Sequence, residues 1–132
     1  IGLATAHRLI DQGWRVLAAA RRVEAMEPLR SRGAEIFPLD LVDPSSREAL
    51  AQTISQRVGA RDALVNNAGY GDVGPVETMG LDRARAMFEV NVFGLIGLTQ
   101  LLLRSREAAI TPLQEEIEAP LITRAPESND TP

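Results

Sequence analysis

Short apolar runs alternate along this chain with segments of helical periodicity, and this alternation restricts its fold more than any other feature. Three runs predict strands: 14–20 (WRVLAAA), 34–39 (AEIFPL) and 62–66 (DALVN). Apolar residues at helical spacing predict helices over 2–12, 23–32, 45–58 and 81–103. Strands that alternate with helices in this way form a parallel sheet with helices on both faces. The expected fold class is therefore α/β, with a doubly wound parallel sheet.

Glycines and polar residues mark the predicted helix ends. Gly13 and Gly33 each follow a helical segment, at a position where glycine commonly ends a helix in a left-handed conformation. Ser45 is the predicted N-cap of the third helix, and Glu48 is placed to bond back to it in a capping box.

The composition changes after Leu103. The last 22 residues, 111–132, hold four prolines and five carboxylates against one arginine, with few large apolar side chains. Such a segment buries too little apolar surface to offset the entropy lost on ordering. The sequence therefore predicts one domain over 1–103 and an irregular or disordered acidic tail over 104–132.

Charge and composition exclude several classes of partner. A net charge of −4 argues against nucleic acid, because phosphate binding favours a basic surface. The chain has no cysteine and one histidine, which excludes thiolate and multi-histidine metal sites. No apolar run approaches the ~18 residues that span a bilayer, and no secretory leader pattern opens the chain. We expect no metal, nucleic acid or membrane partner and a cytoplasmic location.

Two features near the start of the chain suit a dinucleotide. Ile1 and Gly2 begin the first helix, whose N-terminus presents free N–H groups to a pyrophosphate, although any helix start offers the same groups. Arg21 and Arg22 end the first predicted strand, ~20 positions further on, where a dinucleotide fold contacts the ribose. Arginine there pairs with the 2′-phosphate of NADP, whereas an acid would bond the 2′-hydroxyl of NAD. The alternative is a solvated basic pair at a strand end.

Three further motifs stand out by their positions, since two follow predicted strands and the third interrupts the apolar stripe of a predicted helix. They are Asp40-Leu41 after the second strand, Asn66-Asn67-Ala68-Gly69 after the third, and Asn91 within MFEVNVFG of the last helix. Together with Gly2, they occur in the order and at the separations of the short-chain dehydrogenases/reductases. The chain resembles that family over roughly 1–103.

The resemblance implies a Rossmann-like fold that binds NADP, with NAD less favoured, and acts on small alcohols or ketones. It implies that Asp40, with the adjacent Leu41, meets the adenine and that the NNAG loop (66–69) borders the cofactor. Asn91 matches the asparagine of the family's Asn-Ser-Tyr-Lys catalytic tetrad. Because the family uses this helix in its dimer interface, we expect a homo-oligomer through 81–103, with Leu95, Leu98 and Leu102 as the apolar face.

Asn91 is the most informative single residue. It interrupts an otherwise apolar stripe formed by Phe88, Leu95, Leu98 and Leu102. We therefore expect it to be buried, where an amide without partners costs ~1–3 kcal/mol. Gly94 and Gly97 follow, and each costs about 1 kcal/mol of helix propensity, which a helix tolerates where something packs closely. An ordinary core asparagine is the alternative, and the resemblance favours a functional one.

The catalytic serine, tyrosine and lysine of the family have no counterpart in these residues, because no apolar strand that ends in a serine follows Leu103. The single tyrosine, Tyr70, follows the NNAG loop directly, and the 14 basic residues are all arginine, so no Tyr-x-x-x-Lys pair exists. A phenol of pKa ~10 needs a compact cation nearby to act at neutral pH. We therefore expect a fragment, without the family's first strand and catalytic half, that is inactive alone. A non-catalytic nucleotide-binding or dimerisation module and a decayed, non-functional sequence are the alternatives.

Overall fold

The structure, a computed structural model, describes residues 1–58 and 62–104. Within this part of the chain, two parallel strands form a sheet, with Leu17 opposite Glu35 and Ala20 opposite Pro38. The elements in chain order are α1 (Gly2–Asp11), β1 (Leu17–Ala20), a 3₁₀ turn (Val23–Met26), α2 (Glu27–Arg30), β2 (Glu35–Pro38), α3 (Pro44–Val58), a second 3₁₀ turn (Val76–Thr78) and α4 (Leu81–Arg104). The predicted tail over 104–132 lies outside the described residues, apart from Arg104.

Helices cover both faces of this sheet. Successive strand residues point to opposite faces, so Leu17 and Ala19 contact one core cluster while Ala18 and Ala20 contact the other. The first cluster joins β2 to α3 and α4 through Phe37, Leu39, Leu41, Leu50, Ala51, Ile54, Leu98 and Leu102. The second covers the opposite face and consists of the buried residues Val16, Met26, Leu29 and Ala34, against which the partly buried Ala6, Leu9 and Ile10 of α1 pack. The doubly wound α/β architecture is confirmed.

The two glycine helix ends are confirmed. Gly13 has φ +83° and Gly33 has φ +94°, the left-handed region that a side chain disfavours. After α1, the Gly13 N–H donates to the carbonyl of Ile10 and the Trp14 N–H to that of Leu9, each at 3.0 Å. These two bonds close the helix and turn the chain directly into β1.

The third predicted strand is not formed. Residues 62–66 follow an irregular path, and Leu64 and Val65 are 47% and 58% exposed. An apolar sequence becomes a strand only when a neighbouring strand supplies hydrogen bonds to its N–H and C=O groups. No strand of the described residues lies beside this segment to do so.

The N-cap of α3 is Asp43, so the predicted Ser45–Glu48 capping box is wrong. The Asp43 carboxylate accepts hydrogen bonds from the Ser45 N–H at 2.9 Å and the Ser45 hydroxyl at 2.6 Å. Pro44 then opens the helix, where its missing N–H costs nothing. These bonds from Ser45 lower the pKa of the Asp43 carboxyl below its ordinary value.

We expect Asp43→Ala to lower the melting temperature at pH 7. In acid, the melting temperatures of the variant and the wild type should converge. Because the folded state depresses the pKa of Asp43, its stabilisation is present above the unfolded pKa of ~3.9 and lost as the pH falls through the lower folded value. Thermal unfolding at pH 7 and below pH 3 measures the difference. Glu48→Ala is the control, because no hydrogen bond from the Glu48 side chain to the helix N-terminus is seen among the described residues. Equal destabilisation by both variants would support the capping box after all.

Helix α4 contains a π-helical turn that the sequence did not predict. Its α-helical first part, Leu81–Phe88, passes into a wider turn over Glu89–Gly94 before α geometry resumes. The wider turn rotates the two halves relative to each other, so Phe88 is 52% exposed while Leu98 and Leu102 are 5% exposed. The single predicted stripe is therefore wrong for Phe88. A π-helical turn within an α-helix is frequently found at a functional site.

By length and composition alone, α4 could cross a membrane. The sequence predicted no membrane span, because glycines and polar residues interrupt its most apolar stretch, 92–103. Leu98 and Leu102 lie in the core cluster beside α3, and the first turn carries Asp82 and Arg83. Part of α4 therefore packs in the core, although only 17% of its most apolar 18 residues is buried.

Candidate functional site

The carboxyl ends of β1 and β2 bring two predicted site residues to one rim of the sheet. Ala20 pairs with Pro38, and the Leu39 N–H donates to the Ala20 carbonyl at 3.1 Å. Arg21 follows directly on one strand and Asp40 two residues after Pro38 on the other. In open α/β sheets this rim is where ligands bind.

Asp40 is fixed by the turn that follows β2. Its Oδ1 accepts a hydrogen bond from the Val42 N–H at 3.0 Å, and its own N–H donates to the Ser46 hydroxyl at 2.9 Å. Asp40 is exposed, whereas the next residue, Leu41, is 5% exposed and lies in the core. Any contact of Leu41 with a ligand therefore comes from its backbone.

Arg21 and Arg22 are exposed and form no ion pair within the described residues. Arg22 has an extended backbone and precedes the first 3₁₀ turn, so the two arginines lie between the end of β1 and this turn. Neither guanidinium is neutralised by a neighbouring carboxylate. Both remain available to an anionic ligand.

The NNAG loop is held from two sides. The Asn66 amide donates to the Thr99 hydroxyl at 3.2 Å, and that hydroxyl donates to the Leu95 carbonyl of α4 at 2.7 Å. The Asn67 side chain lies against Gly2, so closely that a β-carbon at position 2 would clash with the amide. Ile1 caps α1 without any side-chain hydrogen bond, so the first N–H groups of α1 lie beside this loop uncapped.

Asn91 holds the end of the same loop. Its amide nitrogen donates to the Tyr70 carbonyl at 2.7 Å, and its Oδ1 accepts from the Tyr70 N–H at 3.0 Å. A β-carbon at Gly69 would fall 3.0 Å from that Oδ1, so glycine allows the close approach. Ala68 is exposed beside it. The π-helical turn carries Asn91, and thus places its amide against the loop.

The structure corrects one expectation about Asn91 and adds a residue that the sequence did not suggest. Asn91 is partly rather than fully buried, because it lies at the edge of the core facing the loop. Arg47 of α3 donates from Nη1 to the Leu41 carbonyl, next to Asp40. The sequence offered one signal for Arg47: it is a cation in the first turn of a helix, where the helix dipole disfavours positive charge.

We expect Asn91→Leu to destabilise the chain by about 1 kcal/mol, since it removes two hydrogen bonds whose Tyr70 partners can rebond to water. Urea denaturation measures the loss, and hydrogen exchange at the Tyr70 amide should accelerate. Gln100→Leu, at an exposed position of α4, is the matched control. Unchanged exchange at Tyr70 would mean that Asn91 does not hold the loop.

Comparison with known proteins bears on this arrangement. The family model for short chain dehydrogenases matches residues 1–110. A relative, dehydrogenase/reductase SDR family member 7 from Homo sapiens, is 33% identical over 113 residues, covering 78% of this chain and 33% of the relative.

Two solved structures are also similar. A short-chain dehydrogenase from Streptomyces avermitilis has a TM-score of 0.75 and 35% identity, covering 81% of this chain and 40% of that one. An actinorhodin polyketide ketoreductase variant with NADPH has a TM-score of 0.73 and 28% identity, covering 86% and 44%. This chain thus spans between a third and a half of the length of these proteins.

Proposed function

The chain belongs to the short-chain dehydrogenase/reductase family, and from this premise we propose that it is the cofactor-binding part of an NADP-dependent oxidoreductase acting on alcohol or ketone groups. The observation that carries the proposal is the pair of unneutralised arginines, Arg21 and Arg22, at the end of β1 beside Asp40. The solved ketoreductase structure with NADPH supports a nicotinamide cofactor in the family.

The electrostatics of the β1 end favour NADP over NAD. A 2′-phosphate adds negative charge and three acceptor oxygens, which match the planar donor fork of an arginine. NAD offers a hydroxyl at that position, and no carboxylate directly follows β1 to accept its hydrogen bond. Asp40 on the neighbouring strand end has an Oδ2 with no protein partner among the described residues, and we propose that it meets the adenine.

The remaining site residues fit the rest of a dinucleotide. The uncapped N-terminus of α1 at Ile1 and Gly2 suits the pyrophosphate, because free N–H groups and the helix dipole favour an anion. We propose that the NNAG loop lies along the nicotinamide half and that Asn91, by holding Tyr70, keeps this loop open to the ring. When bound, the nicotinamide accepts or supplies the hydride.

We propose further that the 132 residues bind cofactor but do not catalyse hydride transfer alone. The sequence has one tyrosine and no lysine, so it contains no tyrosine–lysine pair in which an ammonium lowers the pKa of a phenol. Proton transfer to or from a substrate oxygen therefore has no suitable group in these residues.

Calorimetric titration of the 132-residue chain with NADPH and with NADH tests the proposal. We expect NADPH to bind at least about tenfold more tightly, equivalent to about 1.4 kcal/mol, at low salt. The preference should fall as salt is added, because exposed arginines are screened. Tighter binding of NADH would refute the NADP assignment, and failure of both to bind would refute the cofactor-binding function.

A dimerisation module is a second candidate, and the exposed residues of α4 favour it. The predicted face of Leu95, Leu98 and Leu102 is wrong for Leu98 and Leu102, which are buried in the core of the chain. Phe93, Ile96 and Leu103 are instead about half exposed along the opposite side. Sedimentation of the chain and of Phe93→Ser/Ile96→Ser should give a dimer and a monomer, respectively. A wild-type monomer would exclude this candidate.

A further inference from the structure

Arg47 has mixed electrostatic surroundings, because the dipole of α3 disfavours it whereas the Asp43 carboxylate that caps this helix attracts it. It lies in the first turn of α3, where the positive end of the helix dipole repels a cation. It forms no salt bridge within the described part of the chain, and its Nε is buried without a hydrogen-bond partner there. A buried guanidinium nitrogen without a partner is unfavourable, so the contacts made by the rest of this side chain call for an explanation.

The contacts of Arg47 join two elements of the candidate site. Its Nη1 donates to the Leu41 carbonyl, which follows Asp40 at the sheet rim. Its Nε lies 3.1 Å from the place where a β-carbon of Gly97 would stand, so the guanidinium covers Gly97 of α4. One turn earlier, Gly94 admits the Leu41 carbonyl in the same way, with a hypothetical β-carbon 2.6 Å from that oxygen.

These contacts continue to the other end of the site. Gly94 closes the π-helical turn that carries Asn91, and Asn91 holds the Tyr70 backbone at the end of the NNAG loop. An unbroken series of contacts therefore runs from the turn at Asp40 to the NNAG loop. Arg47 reinforces the first contact of this series, the one between the Asp40–Leu41 turn and α4, since it contacts both Leu41 and Gly97.

We propose that Arg47 is a positioning residue that fixes the spacing between the Asp40–Leu41 turn and the NNAG loop. The inference rests on the proposed dinucleotide function, in which the turn meets the adenine half and the loop the nicotinamide half. Arg47 touches neither half. It sets the distance at which one molecule can contact both.

The test compares a whole ligand with half of it. Arg47→Met keeps the apolar stem but removes the donor to Leu41, and we expect NADPH to bind roughly tenfold more weakly, the effect of losing about one charge-assisted hydrogen bond. Adenosine 2′,5′-bisphosphate, which lacks the nicotinamide half, should bind within about twofold of wild type. Arg47→Lys restores a cationic donor and should recover most of the NADPH affinity. Arg57→Met, at an exposed arginine of the same helix, should change neither ligand.

A readout without ligand separates this inference from the proposed function. In Arg47→Met, hydrogen exchange at the Val42 and Tyr70 amides should accelerate together, since both report the coupled turn and loop. Suppose that the wild-type chain binds both ligands. If Arg47→Met then weakens the binding of both equally, or of neither, the positioning role is overturned while the proposed function stands. If wild type binds neither ligand, the proposed function fails and the role toward a dinucleotide fails with it. Unchanged exchange at Tyr70 refutes the coupling in either case. If Arg47→Met does not fold, Arg47→Gln, whose shorter neutral side chain also removes the cation, takes its place in both measurements.

Discussion

Gly94→Ala is expected to destabilise the chain by about 2 kcal/mol, although alanine is the better helix former. The added β-carbon would lie 2.6 Å from the Leu41 carbonyl oxygen and 2.9 Å from the Leu41 β-carbon. Leu41 is 5% exposed and its carbonyl is bonded to Arg47, so neither atom can move away freely. Overpacking costs about 1–3 kcal/mol, and a clash with buried backbone lies at the upper end of that range, so about 2 kcal/mol remains after the ~1 kcal/mol gained in helix propensity.

Gly97→Ala provides the matched control, one turn further along α4. There the added β-carbon meets the flexible end of Arg47, 3.1 Å from its Nε, and a small shift of that side chain accommodates it. We expect a change in the free energy of unfolding within about 1 kcal/mol, because strain and propensity offset each other. Urea denaturation of both variants measures the difference. Equal stability of the two would show that α4 does not pack on Leu41 as closely as described.

Arg21→Ser/Arg22→Ser is expected to weaken NADPH binding by about 10- to 100-fold and to change NADH binding by less than about threefold. Both side chains are exposed, so each contact with a 2′-phosphate is screened and contributes only about 0.7–1.4 kcal/mol. NADH lacks that phosphate and loses nothing specific. The selectivity of the site should therefore disappear while the fold is retained.

The control for this variant removes the same charge elsewhere. Arg8→Ser/Arg57→Ser changes the net charge by the same −2 at exposed positions of α1 and α3. Calorimetric titrations at low and moderate salt compare the two variants. If both variants weaken NADPH binding equally, the preference for NADPH comes from the overall charge of the protein. If Arg21→Ser/Arg22→Ser leaves the affinity for NADPH unchanged, the assigned contact with the 2′-phosphate is refuted.

Local sequence signals were sufficient for the positions of the helices and for the glycine stops, although the helix predicted over 23–32 is a 3₁₀ turn followed by the short helix α2. Gly13 and Gly33 could be predicted because a left-handed backbone favours one residue type and needs no distant partner. The Asp43 cap was missed although it too is local, because Ser45 is an equally good cap by residue type. Only the observed bonds from Ser45 to Asp43 decide between them.

For the candidate site, the sequence supplied residue identities and approximate placement. Arg21 and Asp40 could be placed at one rim because parallel strands present their carboxyl ends on the same side. Arg47 could not be found in this way, since its significance depends on Gly97 and Leu41, fifty and six residues away.

What the sequence determined by itself is the α/β class, the order of the helices and of the first two strands, and the motifs that assign the family, because these depend on periodicity and on residue types at fixed spacing. The tertiary structure alone decided that 62–66 is not a strand, that Phe88 leaves the core face of α4, and that Asn91 holds the Tyr70 backbone. The physical reason is the same for all three. A strand needs a neighbouring strand, a buried helix face needs a surface to pack against, and an amide needs hydrogen-bond partners. Each of these partners comes from a distant part of the chain, so its presence is decided only in the folded protein.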